Sequence, residues 1–169
     1  TTYHGTYSGN DYFFKKNYNR VMTSGDKIIT NDSSIIKIGQ SLLKQKPGDI
    51  LLITTGVMTQ IALEVSEILS KEGITCGVLH FSTIKPLDPE ILKTCIPKVK
   101  TVITIEEHLR SGGLGSAILE FTNDNFPEHS SKISRIGLQD SFIENYGNQD
   151  SLLKNNNLTV ENLINKILN

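Results

Sequence analysis

The chain has 169 residues, long enough for one ordinary domain that buries about 70% of the surface its unfolded form exposes. Apolar residues make up 37% and charged residues 21%, a globular but polar balance, and a formal net charge of -1 supplies no basic field for nucleic acid or anionic lipid. The two cysteines, Cys76 and Cys95, stand apart without C-x-x-C spacing or clustered histidines, which excludes a zinc site and a disulfide framework and reads as free, buried thiols in a reducing cytoplasm.

The first 46 residues are rich in Tyr, Asn, Lys, Ser and Gly, with two apolar bursts, Tyr12-Phe13-Phe14 and Ile35-Ile36-Lys37-Ile38. They read as a linker with a strand or two. Because the chain opens on Thr1, we expect it to be the cut end of a longer subunit. No stretch approaches the roughly 20 apolar residues that span a bilayer, so no membrane partner is expected. Lys46-Pro47-Gly48-Asp49 is turn chemistry, and the compact domain is expected to run from there, over residues 47–169.

Ile50-Leu51-Leu52-Ile53-Thr54 is a continuous apolar run, the pattern of a strand buried on both faces. Ile61, Ala62, Val65, Ile68 and Leu69 then paint one face of a helix that stops at Gly73. A second strand spans 74–81. Asp88-Pro89-Glu90 supplies an N-cap, a proline in the first turn and a negative charge for a helix through Leu92 and Cys95, ending near Pro97. Residues 101–105 form the third strand, Leu114, Ala117, Ile118 and Phe121 a third helix, and 133–137 a shorter strand. Val160, Leu163, Ile164, Ile167 and Leu168 close the chain as a helix behind Thr159, and Asn155-Asn156-Asn157 reads as a solvated turn. Strands alternating with helices require right-handed crossovers, so the predicted fold is a three-layer α/β/α domain with a mostly parallel sheet of about five strands.

The densest polar segment is Glu106-Glu107-His108-Leu109-Arg110-Ser111-Gly112-Gly113-Leu114-Gly115, at the C-terminal end of the third strand, the edge where open α/β sheets bind ligands. If the strand stays extended, alternation sends Glu106 and His108 to one face and Glu107 to the other, so the two carboxylates do not form an acid/base pair. Three readings stand. One glutamate accepts hydrogen bonds from the glycine-loop backbone; the cluster of Glu106, Glu107, His108, Gly112, Gly113 and Gly115 makes a subunit or ligand contact; or it is catalytic. Reading Gly113 and Gly115 as the start of G-x-G-x-x-G puts Ile118 where the last glycine belongs, and no Walker lysine follows. A tight turn fits better than a phosphate loop. His80 reads as a satisfied core histidine, Lys85 as part of a loop, and His4 and His129 as loop residues without a role.

Several stretches together resemble the C-terminal domain shared by transketolases, deoxyxylulose-phosphate synthases and the beta subunits of 2-oxo acid dehydrogenases. They are Gly48-Asp49 with 50–56, Ile84-Lys85-Pro86-Leu87-Asp88, Glu106-Glu107-His108 with Gly112-Gly113-Leu114-Gly115-Ser116, Arg135-Ile136-Gly137 with Asp140, and Leu158-Thr159. The resemblance spans about residues 35–169 and is similar in spelling to separately encoded C-terminal subunits of transketolase-like enzymes. It implies that residues 1–46 carry the tail of a preceding pyrimidine-binding domain and a linker.

The activity the resemblance implies is two-carbon ketol transfer between sugar phosphates, with thiamine diphosphate and Mg²⁺ in the parent enzyme and none bound by this chain alone. The implied partners are the pyrimidine- and diphosphate-binding domains or subunit, in a homodimer or heterotetramer in the cytoplasm. No catalytic, cofactor or metal residue carries over onto this sequence, which has no G-D-G…N signature. Its expected role is noncatalytic support of assembly. The alternative is a docking module for the acyltransferase core of a 2-oxo acid dehydrogenase.

Overall fold

A computed structural model describes residues 13–14, 36–141 and 147–169. Tyr12, Ile35 and His4, and with them most of the 1–46 segment, lie outside these. Strand β1 (Phe13–Phe14) pairs antiparallel with β2 (Ile36–Lys37) as a two-stranded ribbon. The main sheet is built from β3 (Ser41–Gln45), β4 (Ile50–Thr54), β5 (Cys76–Phe81), β6 (Thr101–Leu109) and β7 (Ile133–Leu138), in the order β3-β5-β4-β6-β7. Only β3 runs antiparallel, against β5. The turn at Lys46–Asp49, read from the sequence as the onset of the compact domain, therefore lies between two strands of one sheet.

Among the described residues five α-helices cover the sheet: α1 (Met58–Lys71), α2 (Pro89–Cys95), α3 (Leu114–Asn125), α4 (Gln149–Asn155) and α5 (Val160–Leu168). Alternation along the strands divides the core in two. Leu52, Val78, Ile103 and Ile105 pack under Ala62, Val65 and Leu69 of α1 and Leu163 of α5. Leu51, Ile53, Leu79, Phe81 and Val102 pack under Leu92 of α2 and Leu114 and Ile118 of α3. This is the three-layer arrangement that the strand and helix periods predict. Burying each such leucine or isoleucine contributes about 2 kcal/mol, so strands that are apolar on both faces hold both helix layers.

Local chemistry sets the helix ends. Gly73 adopts φ +81° after α1, and Ile74 N–H donates to Leu69 O, a left-handed stop that favours glycine. Asp88 caps α2 through Ile91 N–H, and its other oxygen accepts from the N–H and the hydroxyl of Ser41, fastening edge strand β3 to the same loop. Thr159 caps α5 through Asn162 N–H. Helix α4, capped by Asn148 through Ser151 N–H, precedes the turn expected at Asn155-Asn156-Asn157 and lies in a stretch for which the sequence predicts no element; its seven residues carry too few apolar positions to display a period.

The free thiols are buried as expected, and burial pushes Cys76 up to about 11. Among the described residues no helix is long and apolar enough to cross a membrane.

Candidate functional site

The chain goes from β4 to β5 on one side and then crosses back to place β6 on the other side of β4. That reversal makes the C-terminal ends of β4 and β6 the topological switch point of the sheet, the position at which parallel sheets bind ligands. Strand β6 is the longest of the sheet and projects past this edge, carrying Glu106, Glu107 and His108 with it.

Parity decides what each of these three does. Val102, Thr104 and Glu106 share the face that α3 covers, so Glu106 turns inward and is 1% exposed, while Glu107 and His108 are exposed. The register between β6 and β7 shifts between Ile105 and Leu109, so His108 does not repeat the inward direction of Glu106. Its Nδ1 lies 3.2 Å from Leu109 O. Glu107 accepts a hydrogen bond from Gln149 Nε2 at 3.1 Å, which ties the end of β6 to the start of α4.

The Glu106 carboxylate sits at the N-terminus of α3. Leu114 N–H donates to Oε2 at 2.7 Å and Gly115 N–H donates to Oε1 at 2.8 Å. First-turn N–H groups have no partner within their own helix and carry the positive end of the helix dipole, so a buried anion there satisfies both and is itself stabilised. Glycine makes the approach feasible. A Cβ at Gly113 would collide with the Glu106 carboxylate, and one at Gly115 would stand 2.6 Å from Thr104 Oγ1. The loop needs its glycines to fold over the protein's own carboxylate, and Ile118, at the position a dinucleotide loop gives to glycine, is a core residue.

Two further residues lock the loop. Ser116 Oγ donates to Arg110 O at 2.8 Å and accepts from Gly112 N–H at 3.0 Å. Arg135 Nη1 donates to both Arg110 O and Ser116 Oγ. The sequence analysis names Ser116 and Arg135 within the family resemblance and gives them no role; the usable signal was Arg135 and Gly137, two apart on a strand and hence on one face beside β6.

On the opposite face, His80 is 9% exposed and its Nδ1 lies 2.7 Å from Thr59 Oγ1, which in turn lies 2.8 Å from Thr54 Oγ1. Burial first, and Lys44 second, lower its pKa to about 4, so it is a neutral core histidine. Lys85 lies in the loop before α2. His129 sits in the turn before β7, 3.7 Å from Glu128. Among the described residues no group of acidic, histidine or cysteine side chains is placed to hold a metal ion.

Residues 39–163 match the family model for the transketolase C-terminal domain. The chain belongs to that family. Among its relatives, a 1-deoxy-D-xylulose-5-phosphate synthase of Halothermothrix orenii is 42% identical over 115 residues, 68% of this chain and 18% of the synthase. The synthase of the same name from Geobacillus sp. is 36% identical over 132 residues, 78% of this chain and 21% of its own. The chain thus spans under a quarter of the length of these relatives.

A split-gene transketolase, solved as an inactive beta4 tetramer, superposes with a TM-score of 0.75 at 28% identity, covering 83% of this chain and 45% of that one. Transketolase from Campylobacter jejuni shares the fold, with a TM-score of 0.56 at 17% identity. As a transketolase C-terminal domain, the chain combines a ligand-type sheet edge with a glycine loop closed by its own carboxylate.

Proposed function

We propose that this transketolase C-terminal domain is the noncatalytic assembly domain of a thiamine-diphosphate-dependent enzyme that transfers a two-carbon unit to a sugar phosphate. The observation that carries this reading is the engagement of Glu106. Both of its oxygens accept backbone N–H groups of α3, so this buried acidic group is committed to structure and already occupies the Leu114 and Gly115 donors of the helix N-terminus. Exposed Glu107, His108 and Arg110 are then left on a rigid edge, suited to contact with the rest of the parent enzyme.

The relatives favour a parent of the 1-deoxyxylulose-phosphate synthase type, and the split-gene neighbour supports a domain that takes part in subunit association. They favour a sugar-phosphate parent over a subunit docking an acyltransferase core. Thiamine diphosphate and Mg²⁺ belong in this reading to the partner domains, and the residues before 39 to the connection toward them.

The test is to replace Glu107, His108 and Arg110 together with Ala in the complete enzyme and to measure assembly by sedimentation velocity beside turnover. We expect the assembly to weaken and turnover at saturating protein to persist. An enzyme that assembles as wild type and loses turnover would contradict the proposal.

A further inference from the structure

The Gly112–Gly115 loop has the components of an anion site, and the chain supplies the anion. Two convergent N–H donors at 2.7 and 2.8 Å each take one oxygen of a planar carboxylate. The surroundings are moulded to that group: a Cβ at Gly113 would overlap it, and one at Gly137 would stand 3.1 Å from Glu106 Cγ. A third polar group faces the same turn. Thr104 Oγ1 is fully buried beside Gly115 and has no hydrogen-bond partner among the described residues, a donor that the tethered carboxylate does not satisfy.

We propose that this loop and the first turn of α3 form a carboxylate-binding cradle occupied in cis by Glu106, and that a free small monocarboxylate binds there when the side chain is cut back. The ligand class follows from the geometry. Two donors, one to each oxygen, and walls set close around the group suit a planar carboxylate better than a tetrahedral phosphate. Truncation of Glu106 to Ala removes a fragment the size of acetate and leaves both N–H groups facing the gap, with the unsatisfied Thr104 hydroxyl beside Gly115. The inference stands apart from the proposed function: thiamine diphosphate binding elsewhere on the chain would sink that reading and leave this one untouched.

The experiment compares thermal unfolding of wild type, Glu106→Ala and Glu106→Gln in chloride, acetate and phosphate at equal ionic strength. Glu106→Ala is expected to melt roughly 10 °C below wild type in chloride, and acetate is expected to restore most of that loss in a saturable way. Glu106→Gln loses the charge but still fills the space, so acetate shifts it no more than wild type. Phosphate is expected to act on Glu106→Ala only as a general salt.

An Ala variant that gains no more from acetate than wild type overturns the proposal, as does an equal gain in the Gln variant or rescue by phosphate alone. Should Glu106→Ala be unfolded in chloride, its refolding in acetate, followed by circular dichroism, reads the same point, and failure to refold there overturns it. Amide hydrogen exchange of Glu106→Gln supplies an independent readout. Protection should fall at Leu114 and Gly115 and hold at Ile103 and Ile105 of the same strand pair; unchanged protection at Leu114 and Gly115 contradicts the cradle.

Discussion

The two ends of one sheet each use a carboxylate, and they use it in opposite ways. At the N-terminal ends of β4, β5 and β6, Asp49 is exposed to water: its oxygens meet Lys100 Nζ at 2.8 Å and Thr75 Oγ1 at 2.9 Å, and its backbone oxygen accepts from Lys100 N–H. Hydrogen bonds from Lys100 and then Thr75 hold its carboxyl below the usual carboxylate range. At the C-terminal end, Glu106 is buried and meets only backbone N–H groups. The first is a clip that aligns three strand starts, and solvent screens it. The second is buried and holds the first-turn N–H groups of the helix behind it. The end of a parallel sheet that ordinarily receives a ligand is thus the end where this chain has committed a charge of its own.

The contrast can be broken most severely at Gly113. Gly113→Ala forces a Cβ into the Glu106 carboxylate, with Leu109 O 2.7 Å away on the other side, and is expected to cost about 4–5 kcal/mol by chemical denaturation. Glu106→Gln keeps the shape and turns an amide N–H₂ against a backbone donor; about 3–4 kcal/mol should be lost at neutral pH.

His80 sharpens the comparison from a third position. Its folded pKa lies near 4, below the unfolded value of about 6.5, so the neutral form stabilises the fold above pH 6.5. That stability is lost as pH falls from 6.5 through 4, on the order of 3 kcal/mol in total, and His80→Asn should remove that part of the pH slope. The smallest effect belongs to the exposed clip. Lys100→Ala should lower the melting temperature slightly, and added salt should shrink the difference from wild type.

Much of this fold was legible because its signals are periodic. A strand buried on both faces appears as the apolar run Ile50-Leu51-Leu52-Ile53, residues 101–105 stand out by their β-branched residues, and α1 and α5 show their faces plainly. The same property hid the site. A strand apolar on both faces carries no parity mark, so alternation shows that Glu106 and Glu107 diverge without showing which one turns inward. That choice depends on α3 covering the Thr104 face, a tertiary fact. The bonding of His80 to Thr59, 21 residues away in sequence, is equally nonlocal. Strand β3 was hidden because Ser41-Leu42-Leu43-Lys44-Gln45 is a short edge segment, held by pairing to β5 and by Asp88 rather than by its own pattern.

The central claim is that the sheet edge of this domain is filled by its own carboxylate and receives no phosphate-bearing cofactor or substrate. Titration of ¹⁵N-labelled chain with thiamine diphosphate and Mg²⁺, followed by amide NMR, tests it directly. The account predicts that the signals of residues 106–116 stay in place at millimolar cofactor. Saturable shifts at Leu114 and Gly115 in the micromolar range would contradict it.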